Sequence, residues 1–257
     1  MNWWGEFNIE PGMAGHWTVG PLDLWLRNRP REWWVAQHSA PDAMERAGYF
    51  EHVEEAAPPE SAKIERFGTT RPGTAVTVHP RASDRPIVAR PEVPLWILGN
   101  DEVTLYVATP LWFGLEAFGQ TLIDVPTWRL SDTWFGDDTR TGELCYASLT
   151  GARLVANDVT MRARRVVTAV TIRNASTEKF NVERISLPVP ELPLFVTDSG
   201  MFWTASITVE RQAHGDLAHV TQDAGPGSEA EGAARLCDAR VPQHPGVLVR
   251  TLRHLLR

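Results

Sequence analysis

Four carboxylates, Asp132, Asp137, Asp138 and Glu143, and two guanidinium groups, Arg129 and Arg140, crowd between residues 128 and 148. They are interleaved with Trp128, Trp134, Phe135 and Tyr146. These residue types support several chemistries. Two carboxylates facing each other act as acid and base in glycoside hydrolysis, but spacing in sequence does not give their separation in space. Oxygen ligands hold a hard cation, yet the four acids lack the regular spacing of a calcium loop. Aromatic faces beside Arg and Asp make a polar ligand site. The plainest use is structural: Asp132 bonding to backbone amides and Arg129 pairing a carboxylate would pin a loop. The candidate ligand-binding set is therefore Trp128, Arg129, Asp132, Trp134, Asp137, Asp138, Arg140, Glu143 and Tyr146, with no catalytic residue assigned.

Elsewhere the chemistry is thin. There is no G-x-S-x-G nucleophile elbow and no H-E-x-x-H zinc motif. Gly68 to Gly73 imitates the opening of a phosphate-binding loop, but Thr74-Ala75 stand where the lysine should follow, so a hairpin turn is expected there. None of the eight histidines has another at metal-ligand spacing. Cys145 alternates with Leu144 and Tyr146 in a strand pattern, which reads as a small buried hydrophobe rather than a nucleophile. No cofactor and no metal is expected.

The elements that must carry these residues read as strands. Leu22, Leu24 and Leu26 alternate with Asp23, Trp25 and Arg27, and a polar break precedes Trp33-Trp34, which predicts a hairpin. The tryptophans there, Trp17, Trp25, Trp33 and Trp34, read as cross-strand packing. Short runs follow at 102–108, 111–118, 120–125, 142–148, 165–173, 180–187, 194–197 and 202–210. Pro86, Pro91 and Pro94 mark an edge or connecting strand between them. The side-chain parity flips between Phe180/Val182 and Ile185/Leu187, predicting a β-bulge near Glu183-Arg184. Pro41-Asp42 opens a short helix expected near 42–55, and Leu248, Leu252, Leu255 and Leu256 sit at helical spacing in a C-terminal helix. The expected fold is all-β, a mainly antiparallel β-sandwich, one large or two fused. Its expected blocks are a Trp-rich β region with the short helix at 1–83, a sandwich core at 84–212, and a flexible segment with the terminal helix at 213–257.

Composition narrows the partners. A formal charge of −7 over 257 residues argues against a general nucleic-acid binder. Two cysteines, Cys145 and Cys237, exclude a disulfide-dense scaffold. No apolar run approaches the ~20 residues of a membrane helix, and the first residues carry no secretory pattern, so a cytoplasmic location is expected.

Four stretches carry a resemblance: R-L-S-D-T-W-F-G-D-D-T-R-T-G-E-L-C-Y-A-S ending at Ser148, D-R-P-I-V-A-R-P-E at 84–92, V-T-L-Y-V-A-T-P-L-W at 103–112 and E-R-I-S-L-P-V-P at 183–190. From about the first tryptophans to Glu210 the chain resembles the prokaryotic family called domain of unknown function 432. The resemblance implies no reaction. Two functional classes stay open: a non-enzymatic ligand- or protein-binding regulatory module, with a partner protein or self-association through the C-terminal helix, and a carbohydrate-active or hydrolytic enzyme using the 128–148 stretch.

Overall fold

Leucines at 22, 24 and 26 are fully or almost fully buried, as their period of two requires, and the strand they form anchors the first of two units. The computed structural model describes residues 2–136, 140, 142–160, 162–212, 217–242 and 248–251. Unit one comprises residues 1–81, 110–129 and 162–164, and unit two comprises residues 82–109, 130–161 and 165–257.

In unit one, β1 (Gly5–Asn8), β2 (Ala14–Val19), β3 (Leu22–Arg29), β4 (Glu32–Ser39), β5 (Tyr49–Val53), β6 (Lys63–Gly68) and β7 (Ala75–Arg81) come in order. The order β5-β2-β3-β4-β6 makes a five-stranded antiparallel sheet. A four-stranded sheet, β1-β7-β11-β12, adds β11 (Trp112–Ala117) and β12 (Gln120–Pro126). The sheets form a sandwich cemented by aromatic rings. Trp17 meets Phe7 edge-on at 5.2 Å and Phe113 at 6.1 Å, while Trp3 stacks on Phe113 at 5.8 Å.

The predicted hairpin is present, with Pro30-Arg31 as its two-residue turn. Its outer face is covered as well, because His16 stacks on Trp25 at 4.5 Å and Arg46 bonds Asp23.

Two expectations fail in this unit. The helix near 42–55 is absent: Pro41–Ala43 is one 3₁₀ turn, and Tyr49–Val53 is the edge strand β5. Packing decides it. Phe50 fills the core against Phe7 and Trp17, and a Cβ at Gly48 would lie 2.1 Å from the Trp3 ring, so tertiary contacts override helix propensity. Residues 68–74 are not a hairpin turn either. β6 pairs β4 in one sheet and β7 pairs β1 and β11 in the other, so this loop crosses between the sheets.

Unit two holds β8 (Ile87–Pro91), β9 (Leu95–Ile97), β10 (Asp101–Pro110), β13 (Ser131–Phe135), β14 (Glu143–Ala152), β15 (Arg165–Asn174), β16 (Phe180–Val182) and β17 (Ile185–Leu187). It continues with β18 (Leu194–Val196), β19 (Phe202–Thr204), β20 (Ile207–Arg211), β21 (Leu217–Gln222), β22 (Ala234–Cys237) and β23 (Leu248–Thr251). The largest sheet runs β22-β18-β19-β15-β20-β21-β23, with β10 also on β15; a second runs β13-β14-β8-β17, and β16 pairs β9. The sheets are mixed, since β8 lies parallel to β14, and β19 and β20 parallel to β15.

Three further expectations are corrected. The parity flip at Glu183-Arg184 marks a change of sheet, not a bulge: Val182 pairs Leu95, while Ile185 pairs Ala89. β8 is an interior strand; Pro86 precedes it and Pro91 ends it, so no proline interrupts its ladder. No C-terminal helix stands at Leu248–Thr251, which pairs antiparallel with β21 as a strand; Leu252, Leu255 and Leu256 lie outside the described residues. The β-branched run Val247-Leu-Val-Arg-Thr251 favours extended backbone over the leucine spacing. Among the described residues the helices are single 3₁₀ turns, and no helix is long and apolar enough to cross a membrane.

Candidate functional site

Within the run that holds the candidate residues, Ser131–Phe135 and Glu143–Ala152 pair as the antiparallel strands β13 and β14. Asp132 faces Tyr146 across the pair and Trp134 faces Leu144. Alternation then sorts the side chains. Phe135 and Cys145 are buried with Val88 on the inner face, confirming Cys145 as a packing residue, whereas Trp134 and Leu144 are exposed on the other face. The Arg184 guanidinium lies 5.3 Å from the Phe135 ring centre. β13 is the edge of its sheet, so its outer backbone groups have no strand neighbour among the described residues.

Around Asp132 a polar cluster is assembled. Arg85 donates from Nη1 to Asp132 Oδ1 at 3.1 Å, and its guanidinium lies 5.3 Å from the centre of the Tyr146 ring. The Tyr146 hydroxyl donates to Asp84 Oδ1 at 3.0 Å. Burial, then the bond to Asp84 and the Asp84 charge, push the Tyr146 hydroxyl above its ordinary range, while Arg85 opposes them. Tyr146 therefore stays a neutral donor. The Asp132 side chain is 61% exposed, so its pair with Arg85 contributes only ~0–1 kcal/mol. It orients the cluster more than it holds the fold.

The structure thus brings together Asp132 and Tyr146, with Trp134 next along the same face. Glu143 is exposed opposite Phe135, three positions from Asp132 and on the other parity. Arg140 is exposed, and Asp137 and Asp138 lie outside the described residues. Trp128 and Arg129 belong to unit one. Sequence reasoning missed Asp84 and Arg85. Both open the 84–92 stretch, one of the four that carry the resemblance, and that was the available signal.

Behind the hairpin, β14 shifts register on β8 between Ala147 and Gly151, where three residues of β14 pass one of β8. The splay opens a groove of about 480 Å³ lined by Val88, Arg90, Thr133 and Ser148, with an Arg153–Glu92 ion pair at its rim. No group of three or more metal-ligating side chains occurs among the described residues.

Fold and site together define an all-β protein of mixed sheets that carries, on an edge hairpin, an exposed aromatic–arginine–carboxylate cluster. A family model described as "Protein of unknown function (DUF432)" matches residues 3–256, and the chain belongs to that family. The match extends beyond Glu210 through the C-terminal strands. No curated protein and no solved structure matches the chain significantly.

Proposed function

We propose that the chain is a non-enzymatic binding module of the cytoplasm, and that the outward face of the β13–β14 hairpin recognises a partner protein. The observation that carries this reading is the pair Trp134–Leu144. These two large apolar side chains are 37% and 41% exposed, directly opposite each other, on and beside an edge strand. Exposed Trp flanked by Arg and Tyr has the composition of an interface anchor, and an open strand edge offers a row of backbone donors and acceptors.

The hydrolytic alternative draws less support. Asp132 and Glu143 are offset by three residues, roughly 10 Å along the strand, and alternate to opposite faces. Carboxylates so placed do not converge on one bond.

The test is quantitative affinity capture with the whole chain, comparing wild type, Trp134→Ser with Leu144→Ser, and the control Ile64→Ser in unit one. A partner recovered by wild type and control, but lost by the double variant, is the expected result. An identical captured set for all three would overturn the reading.

A further inference from the structure

The crossing loop between β6 and β7 forms one wall of a groove of about 800 Å³ in unit one. The turn at Pro30-Arg31 and the tip of the β11–β12 hairpin at Phe118-Gly119 supply other walls. Three arginines, Arg31, Arg66 and Arg71, line it, and no carboxylate does. Arg66 is held from outside, its Nε and Nη2 donating to Glu32 Oε2 at 2.8 and 2.5 Å. Among the described residues no carboxylate pairs with Arg31 or Arg71. In a chain of net charge −7, a concave surface lined by three arginines and no acid is a local inversion of sign.

The backbone there is also unusual. Arg31 has φ 66° and Phe118 φ 55°, two of the three positive-φ non-glycine residues among those described. Both sit in two-residue hairpin turns, whose geometry calls for left-handed backbone and so fixes where the Arg31 and Phe118 side chains leave the chain. Both are locked in place. The Thr69 amide donates to the Arg31 carbonyl at 2.8 Å, and the Phe118 ring lies where a Cβ on Gly73 would be, 2.7 Å from it. Only glycine lets the loop come so close.

We infer that this groove binds a phosphorylated small molecule carrying a planar ring, of the nucleoside phosphate class. Arginine forks match phosphate oxygens two at a time, and Arg31 and Arg71 are available for that role. The volume exceeds what a bare phosphate fills and lies in the range of small-molecule sites. Half-buried Phe67 and Phe118 offer faces for a ring, and Thr69, Thr70 and Gln120 offer hydrogen bonds to a sugar. The glycine spacing of residues 68–73 therefore serves an anion after all, by arginines rather than by the lysine of a phosphate-binding loop.

Isothermal titration calorimetry on the whole chain tests this with adenosine diphosphate, pyrophosphate and adenosine. The diphosphate is expected to bind saturably, pyrophosphate at least about tenfold more weakly, and adenosine without measurable heat. Arg31→Glu and Arg71→Glu, both at exposed positions, should each weaken the diphosphate at least about tenfold at an unchanged melting temperature. Should either variant melt early, Thr70→Glu sets a negative charge at the same wall from an exposed site and must produce the same loss. No saturable heat with adenosine diphosphate, equal affinity for pyrophosphate, or undiminished binding in these variants would overturn the proposal.

Discussion

At the residue scale, a closely coupled group of charges belongs to unit one and shares no residue with the hairpin that the sequence brings forward. His16 bridges two carboxylates, Nδ1 to Glu51 at 2.9 Å and Nε2 to Asp23 at 3.1 Å, and Arg46 forks onto Asp23 at 3.1 and 2.8 Å. Burial alone would lower the His16 pKa, but the bonds to Asp23 and Glu51 outweigh it and the net shift is upward from 6.5. Burial likewise opposes ionisation of Asp23, yet His16 and Arg46 hold it down at about 2. The signs define a window. The raised histidine gives stability that is complete below its unfolded value of 6.5 and lost as pH rises through its folded value. The lowered aspartate gives stability present above its unfolded value of 3.8 and lost as pH falls toward about 2. The cluster therefore stabilises most between these two unfolded values. We expect His16→Gln to lower the melting temperature more at pH 5.5 than at pH 8.5. An equal deficit at both would show that His16 acts by stacking on Trp25 alone. None of this was legible in the sequence, because His16, Asp23, Arg46 and Glu51 meet only after four segments have folded.

At the scale of elements, legibility followed burial. Runs whose inward residues alternate, such as Leu22/Leu24/Leu26 or Val166 to Ile172, declared themselves as strands, and the β13–β14 residues drew attention through their crowded side chains. What failed were segments whose local pattern is weak and whose fate is set by a distant partner. Phe50 draws residues 49–53 into a strand, β17 leaves the sheet direction of β16 to join β8, and β23 trades leucine spacing for a ladder. The last case yields a prediction. β23 covers the outer edge of β21, pairing Leu248 with Val220 and Thr251 with Leu217. Ending the chain at residue 246 should leave β21, whose own Ala218 and Val220 are buried in the core, as an open edge. We expect concentration-dependent aggregation by light scattering and a melting temperature several degrees lower, on the order of 1–2 kcal/mol of stability. A truncated chain with the same light scattering and melting temperature as the whole chain would show that β23 is dispensable.

At the scale of the whole molecule, the organisation that sequence conceals is discontinuity. Composition changes little at residues 81, 109, 129, 161 and 164, where the chain passes from one unit to the other, so no linker signal marks the crossings. Unit one nevertheless depends on its distant insert. β11 lies between β7 and β12, and Phe113 and Leu115 are fully buried. Phe113 also packs on Trp3 and Trp17, so the aromatic core of the sandwich is closed from residues beyond 110. A fragment of residues 1–81 keeps seven strands but leaves β7 paired with β1 alone and the faces of Trp3 and Trp17 uncovered. Losing two buried aromatic or aliphatic side chains of this size costs several kcal/mol, about 3–5 for a phenylalanine alone, against a total stability that is small for a domain of that length. We therefore expect the fragment to show no cooperative thermal transition and poorly dispersed amide resonances. Joining residues 110–129 to it through a flexible linker should restore both, since β11 and β12 pair with each other and β11 supplies the missing ladder to β7. Cooperative melting of residues 1–81 by themselves would mean that the five-stranded sheet is sufficient and that β11–β12 is an accessory layer.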